Sequence, residues 1–568
     1  MVNVIAVQVK SKKVSNHLIR RVADSCANVQ PDNLNIGEPF VRVNSNLIIG
    51  LTYYNSAVKL TENGLLLGNV FEDSEDCWDK IGAFPDGSYG VFRWDNNYIE
   101  ILSDIGATRT IWYYSDINYF IASTSQRMII SFLGSYHVNQ DVIPWMMSTG
   151  TIGPFMSWDK RINCLSPNQK LLFDRQNNEI ELQSEQFEYQ IISDTKKKTK
   201  ERLRNAIKTS FKQINIDVSN YYLTLSGGYD SRAILLNIEN KEILHTITWG
   251  KKGNEDIQLT DASVAKQLSD YFKTNHEYLE IDDKEETSEV ILDRFIKNGE
   301  GRIDHLAGYL DGFELWKNLN VNGVKGIIRG DEGFGWSEVN YPQNVIDSVG
   351  IPLLDDYDNI PTWIKDLYSD QKIPGYLKRE DGESLAMWRD RLYHEFRIPI
   401  ILSALTSLKT NYVEVSNPLL TKVIIREVRK QPDEFRTNKK LFKEIINQMS
   451  PKIPYAKHAS TVNIKQYLRK KDIVEILKKE LKNNKGNIIP VEITNYVLNN
   501  MKYGTINKTG SKNSNHIKEK IKHFIPSSMK NMLKKNIGKH MDFNVLAFRI
   551  YIILKMQEIL NNDALYIK

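Results

Sequence analysis

Six consecutive residues in the middle of the chain combine the side chains and backbone freedom needed to hold a phosphate group. Two adjacent glycines let backbone N–H groups approach an anion closely, and a helix that begins at this point would add partial positive charge. The two serines could donate hydroxyl hydrogen bonds. The carboxylate of Asp230 would repel phosphate, so we interpret it as a ligand of magnesium, which bridges carboxylate and phosphate oxygens. The six residues are Ser226, Gly227, Gly228, Tyr229, Asp230 and Ser231.

A second acidic loop follows later in the chain, where residues 329–335 are Arg-Gly-Asp-Glu-Gly-Phe-Gly. Two carboxylates at two strand ends could hold magnesium on a pyrophosphate group, so Asp331 is the predicted partner of Asp230. The chain contains no GxxxxGK[ST] sequence, and the first loop carries no lysine that would reach a γ-phosphate. The pattern therefore differs from a kinase-type phosphate loop.

The segments around both loops predict an α/β fold. Short apolar strands alternate with segments whose apolar residues recur at helical spacing. This alternation indicates a doubly wound parallel sheet, in which ligands bind at the carboxyl ends of the strands. The predicted strands are 221–225, 243–249, 276–281 and 324–328, and the predicted helices include 231–238 and 262–272, the latter capped by Thr260 or Asp261.

The two ends of the chain show different patterns. Up to about residue 190, short alternating runs separated by Asp-Gly and Asn-Asn turns predict a mostly antiparallel β domain. Beyond residue 385 the pattern is helical to the C-terminus, and the stretch 502–515, rich in Asn, Lys, Gly and Ser, predicts a mobile loop. A length of 568 residues indicates about two to four domains.

Charge and cysteine content narrow the function classes. The formal net charge is +5, but residues from 461 onward hold about 21 Lys and Arg against about 8 Asp and Glu. We expect a solvated helical surface there, and the alternative is a basic tail that contacts nucleic acid, an anionic membrane or a polyanionic substrate. Three widely spaced cysteines (Cys26, Cys77 and Cys164) predict neither a zinc site nor a disulfide framework and fit a cytoplasmic location. The most apolar run, 545–556, is interrupted by Arg549 and Lys555, so we expect no membrane insertion.

The first loop resembles the SGGxDS motif of ATP pyrophosphatases, which split ATP between the α and β phosphates. Further segments make most of residues 1–460 similar to the asparagine synthetase superfamily. In the N-terminal half these segments are 86–90 (DGSYG), 104–106 (DIG), 112–114 (WYY) and 121–123 (IAS). In the second half they are 413–420 (VEVSNPLL), 432–435 (PDEF) and 451–457 (PKIPYAK).

This resemblance implies a fold, a set of ligands and roles for named residues. The fold would be an N-terminal-nucleophile (Ntn) hydrolase-like β-rich domain at 1–192, an adenine-nucleotide α-hydrolase-like (PP-loop) sheet at 193–460 and a basic helical extension at 461–568. Magnesium would be bound by Asp230 and Asp331. Lys457 would stabilise the adenylate or the departing pyrophosphate, with an ordinary surface lysine as the alternative. The residues expected around ATP are Leu225, Ser226, Gly227, Gly228, Asp230, Ser231, Thr248, Trp249 and Gly330.

The chain departs from the family at two points. Glutamine-dependent members begin Met-Cys, whereas this sequence begins Met1-Val2, so we expect an inactive amidotransferase-like domain. The family acid that handles the amine proton is replaced by Ile328, which cannot transfer protons. β-Lactam synthetases and lasso-peptide cyclases also resemble this chain. A β-lactam synthetase glutamate matches Glu414, which we predict to be catalytic, with an ion pair to a nearby Arg or Lys as the alternative.

The predicted function is ATP-dependent, AMP-forming amide-bond synthesis through an acyl-adenylate. The acid would be a small-molecule or peptide carboxylate, and the nucleophile would be ammonia or an amine of the substrate. Ring closure within one peptide or amino-acid derivative is the second hypothesis, and a non-catalytic nucleotide-binding scaffold is the third. Nucleic acid is not an expected partner, and the sequence leaves a homo-oligomer open.

Overall fold

The structure, a computed structural model, describes residues 2–10, 13–55, 57–71, 78–214, 216–281, 286–504 and 539–566. Cys77 and most of the loop predicted at 502–515 lie outside these ranges.

Strands in the N-terminal part form two antiparallel sheets, and three helices accompany them within the described residues. The spatial orders are β10-β8-β9-β1-β3-β2 and β12-β11-β7-β6-β5-β4. The strands are β1 (Val4–Val9), β2 (Phe40–Asn44), β3 (Leu47–Leu51), β4 (Lys59–Leu60), β5 (Gly64–Val70), β6 (Gly87–Trp94), β7 (Tyr98–Ser103), β8 (Trp112–Ser115), β9 (Tyr119–Ser123), β10 (Asn163–Cys164), β11 (Gln169–Asp174) and β12 (Ile180–Ser184). The helices are α1 (Asn16–Ala27), α2 (Gln126–Leu133) and α3 (Val142–Thr149).

The burial of alternate residues of strand β1 shows how the two sheets and the three helices pack together. Successive side chains of a strand point to opposite faces of its sheet. Val4 and Ala6 lie in a core shared with apolar residues of the second sheet. Ile5 and Val7 lie in a different cluster, together with apolar residues of α1, α2 and α3. The N-terminal part is therefore a β-sandwich with helices on the outer face of the first sheet, which confirms the predicted antiparallel β region.

A parallel sheet follows, with the spatial order β15-β14-β13-β16-β17. The strand that precedes the first loop, β13, is the central one, and β16, which precedes the second loop, is its neighbour. The prediction of strands alternating with helices is confirmed here. The strands are β13 (Tyr221–Thr224), β14 (His245–Gly250), β15 (Asn275–Glu280), β16 (Gly326–Ile328) and β17 (Glu414–Ser416).

Helices cover both faces of this sheet. Strand β16 shows this, since two of its neighbouring residues pack in different apolar clusters. Ile327 packs in the large cluster that also contains the N-terminal helices, whereas Ile328 packs against α5 and α6. Thr260 caps helix α6, because its side chain accepts the Ser263 N–H, and it is one of the two residues predicted as the cap. The helices are α4 (Lys196–Gln213), α5 (Tyr229–Asn237), α6 (Asp261–Phe272), α7 (Ser288–Gly299), α8 (Glu314–Val321), α9 (Pro342–Val349), α10 (Thr362–Leu367), α11 (Leu385–Leu392), α12 (Ser403–Thr410), α13 (Lys422–Arg429), α14 (Asp433–Arg436), α15 (Lys440–Met449), α16 (Ile464–Tyr467), α17 (Lys471–Lys482), α18 (Val491–Asn500) and α19 (Phe543–Leu565).

The expectation of helices alone beyond residue 385 is wrong at one point. Strand β17 lies in this region and pairs in parallel with β16. It spans only Glu414–Ser416, which is too short for an alternating pattern to be visible in the sequence. Its strand conformation comes from pairing at the edge of the sheet, so tertiary context decides it.

The C-terminal helix α19 is part of the protein core. Leu546, Phe548 and Ile552 are fully buried in the cluster that also holds residues of α2, α3 and α7. Among the described helices, none is both long enough and apolar enough to cross a bilayer. The apolar run at 545–556 is therefore explained by packing within the protein.

Candidate active site

The first predicted loop connects the central strand β13 to helix α5, at the carboxyl end of the parallel sheet. Hydroxyl groups of the loop accept hydrogen bonds from its own backbone and so fix its conformation. The Ser226 N–H donates to Ser231 Oγ at 3.0 Å, and the Gly228 N–H donates to Ser226 Oγ at 3.2 Å. Because α5 begins at Tyr229, its free N–H groups and partial positive charge lie beside the loop. This arrangement favours an anion.

Close packing explains two glycines of the site. A Cβ atom at Gly227 would lie 2.4 Å from Ala456 Cβ. A Cβ atom at Gly330 would lie 2.9 Å from Asp230 Cβ and 3.1 Å from the Ser231 nitrogen. The two acidic loops therefore touch each other through Gly330. A larger residue at this position would push the loops apart.

Lys439, which no residue pattern in the sequence indicates, joins the two acidic loops. Lys439 Nζ lies 2.9 and 3.0 Å from the two carboxylate oxygens of Asp230 and 2.8 Å from Glu332 Oε1. Burial raises the pKa of Glu332 to about 7, although the charge of Lys439 opposes this shift. The two carboxylates raise the pKa of Lys439 against the effect of its burial. The site therefore holds a partly buried cation between its acidic side chains.

Asp230 and Asp331, the two predicted magnesium ligands, lie in the same cavity, and each is paired with a cation of the protein. The Arg329 guanidinium donates to Asp331 Oδ1 at 3.2 Å, and both aspartates line the same cavity. Within the described residues, no group of three or more His, Cys, Asp or Glu side chains could form a protein-only metal site. Magnesium usually takes one or two carboxylates and completes its shell with water and phosphate oxygens, which matches two aspartates.

The two loops open into a cavity of about 460 Å³ at the carboxyl ends of the strands. The Thr248 hydroxyl donates to the Leu225 carbonyl at 2.5 Å, which ties the end of β14 to the first loop. The indole of Trp249 meets that of Trp316 edge to face, at 5.4 Å between ring centroids. Predicted residues that line the cavity are Leu225, Ser226, Asp230, Ser231, Thr248, Trp249, Gly330 and Asp331. Gly227 and Gly228 complete the loop beside it.

A second buried lysine lies in the cavity wall. Lys409 is 4% exposed, and its Nζ donates to the Tyr309 hydroxyl at 2.6 Å and to the Leu405 carbonyl at 2.7 Å. Burial holds the pKa of Lys409 well below its usual range, and the Arg329 charge acts in the same direction. Both of these acceptors are uncharged oxygens. Among the described residues, no carboxylate forms an ion pair with Lys409, so the cavity wall contains an amine without a neighbouring counterion. No spacing in the sequence indicated it.

The structure places Glu414 away from this cavity. Glu414 is the first residue of β17 and pairs with Gly326, the first residue of β16, so it lies at the amino end of the sheet. The candidate loops follow the carboxyl ends. Both carboxylate oxygens of Glu414 accept hydrogen bonds from Arg109 of the N-terminal sandwich, in a pair that is almost fully buried. The ion pair that stood as the alternative is therefore present.

Lys457 also lies outside the residues that line the cavity. Its backbone N–H donates to the Leu259 carbonyl at 2.8 Å, while its side chain is exposed. The segment that carries it is nevertheless attached to the first loop. Arg232 of α5 donates to the carbonyls of Ile453 and Pro454, and the Ala456 N–H donates to the Gly227 carbonyl at 3.0 Å.

Comparison with known proteins assigns no family. No protein-family model matches the sequence, and no curated protein matches it. Among solved structures, the chain is similar to glutamine phosphoribosylpyrophosphate (PRPP) amidotransferase from B. subtilis, complexed with ADP and GMP. The alignment covers 49% of this chain and 65% of that chain, with 9% sequence identity and a TM-score of 0.20. The chain thus spans just under two-thirds of that protein, and the similarity is too low to carry an argument.

Proposed function

We propose that this protein is an ATP-dependent, AMP-forming carbon–nitrogen ligase that works through an acyl-adenylate, as asparagine synthetases do. One observation carries the proposal. The loop at residues 226–231 follows the central strand of a parallel sheet, and Asp230 and Asp331 line one cavity with it. Ligands of open α/β sheets bind at this edge, and a Gly-Gly turn before a helix suits a phosphate chain.

The residues of this site divide the work of the first half-reaction. A carboxylate of the acid substrate attacks the α-phosphate of ATP, and pyrophosphate leaves. Backbone N–H groups at the start of α5 bind the pyrophosphate charge. Those of Ser226, Gly227 and Gly228 donate to side chains and hold the shape of the loop. Magnesium, held by Asp230 and Asp331, would neutralise further charge on the phosphates. Lys439 supports the same role, because it supplies a partly buried positive charge beside the loop.

Lys439 and Asp230 also set a requirement for binding. Both oxygens of Asp230 are engaged by Lys439, so this carboxylate becomes a metal ligand only when the lysine amine moves to another anion. The phosphate chain is such an anion. We therefore propose that Lys439 transfers from Asp230 to phosphate oxygens when ATP binds, with Glu332 as its remaining protein partner.

The N-terminal sandwich is proposed to be an Ntn-type domain without glutaminase activity. Its two described cysteines do not suit a nucleophile: burial raises the pKa of Cys26 well above the usual range and that of Cys164 to about 12. A thiolate is the reactive form, so both thiols are unreactive near neutral pH. The amine in our proposal is therefore ammonia from solution or an amino group of a substrate. Ring closure within one substrate is the alternative.

Pyrophosphate exchange tests the proposal. The enzyme should incorporate labelled pyrophosphate into ATP when a suitable carboxylic acid is present. Asp230→Ala should abolish this exchange while the thermal midpoint stays close to that of the parent protein, because Asp230 is partly exposed. Asp270→Ala, an exposed change on α6, is the matched control and should exchange normally. Lack of exchange with every acid, together with no ATP binding by calorimetry, would leave only a non-catalytic scaffold.

A further inference from the structure

A histidine at the mouth of the cavity is held by a buried carboxylate. His305 lines the cavity, and its side chain is 48% exposed. Its Nδ1 lies 3.0 Å from Asp304 Oδ1, and the side chain of Asp304 is only 10% exposed. Neither residue belongs to the loops that bind phosphate in the proposed function. The proposed function therefore assigns no role to Asp304 or His305.

Asp304 is fixed from several sides. Its second oxygen, Oδ2, accepts a hydrogen bond of 2.6 Å from Arg549 Nε of helix α19. Its backbone N–H donates to the Gly150 carbonyl at 2.9 Å, and a Cβ atom at Gly150 would lie 2.2 Å from Oδ2. The same arginine donates from Nη1 to the carbonyls of Met147 and Ser148 at 3.0 and 2.8 Å. Rotation of the carboxylate away from His305 would break its hydrogen bond from Arg549 Nε, and Arg549 is itself held by the two carbonyls.

This environment determines which nitrogen of His305 is free. Burial alone would raise the pKa of Asp304, but Arg549 and His305 lower it to about 2, so this carboxylate is ionised near neutral pH. An ionised carboxylate only accepts hydrogen bonds. The imidazole must therefore carry its proton on Nδ1 when it is neutral, which leaves the lone pair of Nε2 available as a proton acceptor.

We propose that His305 is the base that removes the proton from the attacking amine, and that Asp304 and Arg549 are positioning residues that keep its imidazole in the required tautomer. This inference rests on the proposed function and supplies the proton acceptor that Ile328 cannot be. Glu414, the other candidate, lies at the opposite end of the sheet.

The chemical step balances without a further reactant. The amine nitrogen attacks the acyl carbon of the adenylate and forms the C–N bond. The bond between that carbon and the AMP oxygen then breaks, and its electron pair leaves on AMP. The proton lost by the nitrogen goes to Nε2 of His305 and from there to water. The adenylation half-reaction needs no such base, because a carboxylate attacks ATP in its ionised form.

Other charged groups in the cavity are less suited to this role. Asp230 and Asp331 are engaged by Lys439 and Arg329, and the proposed function assigns them to magnesium. Asp261 accepts the Gly227 N–H at 3.1 Å and so maintains the first loop. Half-exposed His305 combines a free lone pair with access to an entering amine. Lys409 is 4% exposed and its amine already contacts Tyr309 and Leu405, so an entering amine reaches it less readily than His305. The titratable side chains that share the cavity with His305 are Asp230, Asp261, Tyr309, Arg329, Asp331 and Lys409.

The proposal also gives the C-terminal helix a function. Arg549 lies on α19, far along the chain from the loops that bind phosphate, and reaches Asp304 across the core. Helix α19 therefore contributes a residue that supports the active site, in addition to its packing. Replacing Arg549 should therefore lower stability, because Asp304 stays buried without its cation, and should also loosen the orientation of His305.

The test separates the two half-reactions in the full-length protein. ATP–pyrophosphate exchange and amide formation are measured with ammonium chloride as the amine and L-aspartate, L-glutamate or D-glucuronate as the acid. In His305→Gln, exchange should stay within about twofold, while amide formation should fall by about 100-fold or more, the usual contribution of a general base. Exposed His17→Gln on α1 is the matched control and should match the parent protein in both assays.

Selective loss of the second half-reaction distinguishes a positioning role of Asp304 from a structural one. Asp304→Asn should lower the rate of amide formation and leave exchange close to the parent rate, because an amide can both accept and donate and no longer fixes the tautomer of His305. A purely structural role would lower both rates together. Exogenous imidazole should restore part of the activity of His305→Ala.

The results distinguish a failure of the proposed function from a failure of the role of His305. No exchange in the parent protein with any acid refutes the proposed function. Normal exchange with unchanged amide formation in His305→Gln refutes the role of His305 alone. Equal losses of exchange and amide formation, without a change in thermal midpoint, would also overturn it, because the residue would then serve ATP binding.

Discussion

Replacing Glu414 by glutamine should destabilise the protein and leave ATP activation intact. The Arg109–Glu414 pair joins the N-terminal sandwich to the edge strand β17, and the two side chains are 5% and 1% exposed. The substitution would keep the shape of the side chain but remove its charge, which leaves the Arg109 guanidinium buried without its anion. Breaking a buried ion pair by removing one partner costs about 3–5 kcal/mol.

The size of the effect makes it measurable by thermal unfolding. A loss of about 3 kcal/mol lowers the thermal midpoint of a cooperative unit of about 150–250 residues by about 6–12 °C. A double-mutant cycle with Arg109→Met isolates the pair, because the double variant removes both charges. The double variant should be more stable than the sum of the two single losses predicts, with a coupling of about 0.5–3 kcal/mol.

The same variants decide between the structural and the catalytic role of Glu414. ATP–pyrophosphate exchange and amide formation should be measured at least 10 °C below the lowest thermal midpoint. Both rates should remain within about threefold of the parent values, which corresponds to a change of less than 1 kcal/mol in the activation free energy. A Glu414→Gln protein with an unchanged midpoint and a large loss of amide formation would refute the placement of Glu414 outside the active site.

Three further predictions concern the site and its surroundings. Gly330→Val should separate the two acidic loops, destabilise the protein by about 1–3 kcal/mol and raise the KM for ATP, whereas Gly37→Val, where a Cβ atom meets nothing within 4 Å, should do neither. Lys439→Met should weaken ATP binding measured by calorimetry and make Asp230 easier to occupy with magnesium alone; unchanged ATP affinity would contradict its phosphate role. Burial lowers the pKa of His394 to about 3, so it stabilises the folded state above its unfolded pKa of about 6.5, and this contribution is lost as the pH falls from about 6.5 towards 3. His394→Gln should therefore reduce the decrease in thermal midpoint between pH 7 and pH 5, and an equal decrease in both proteins would refute this assignment.

The parts of the site that depend on local sequence could be predicted. The loop at 226–231 was recognisable because an apolar strand, two glycines and a helix start lie next to each other in the chain. Asp331 was recognisable for the same reason, after its own strand. The alternation of strands and helices then required both loops to meet at one edge of the sheet, and Gly330 packs directly against Asp230.

The parts that depend on distant contacts could not be predicted. Lys439 approaches Asp230 across 209 residues, and its backbone adopts φ = 57°, which no residue pattern indicates. Arg109 reaches Glu414 across 305 residues, so a motif match alone suggested a catalytic glutamate where the fold contains an ion pair. Strand β17 was missed because three residues show no periodicity.

The path of a carboxylate oxygen through the reaction shows whether the acid attacks the α-phosphate of ATP. With an acid labelled with ¹⁸O in its carboxylate, complete turnover in the presence of ATP and ammonia should yield pyrophosphate and AMP that carries one labelled oxygen in its phosphate. That transfer occurs only if the carboxylate attacked the α-phosphate. Formation of ADP with the label in inorganic phosphate, or of AMP without label, would contradict an acyl-adenylate.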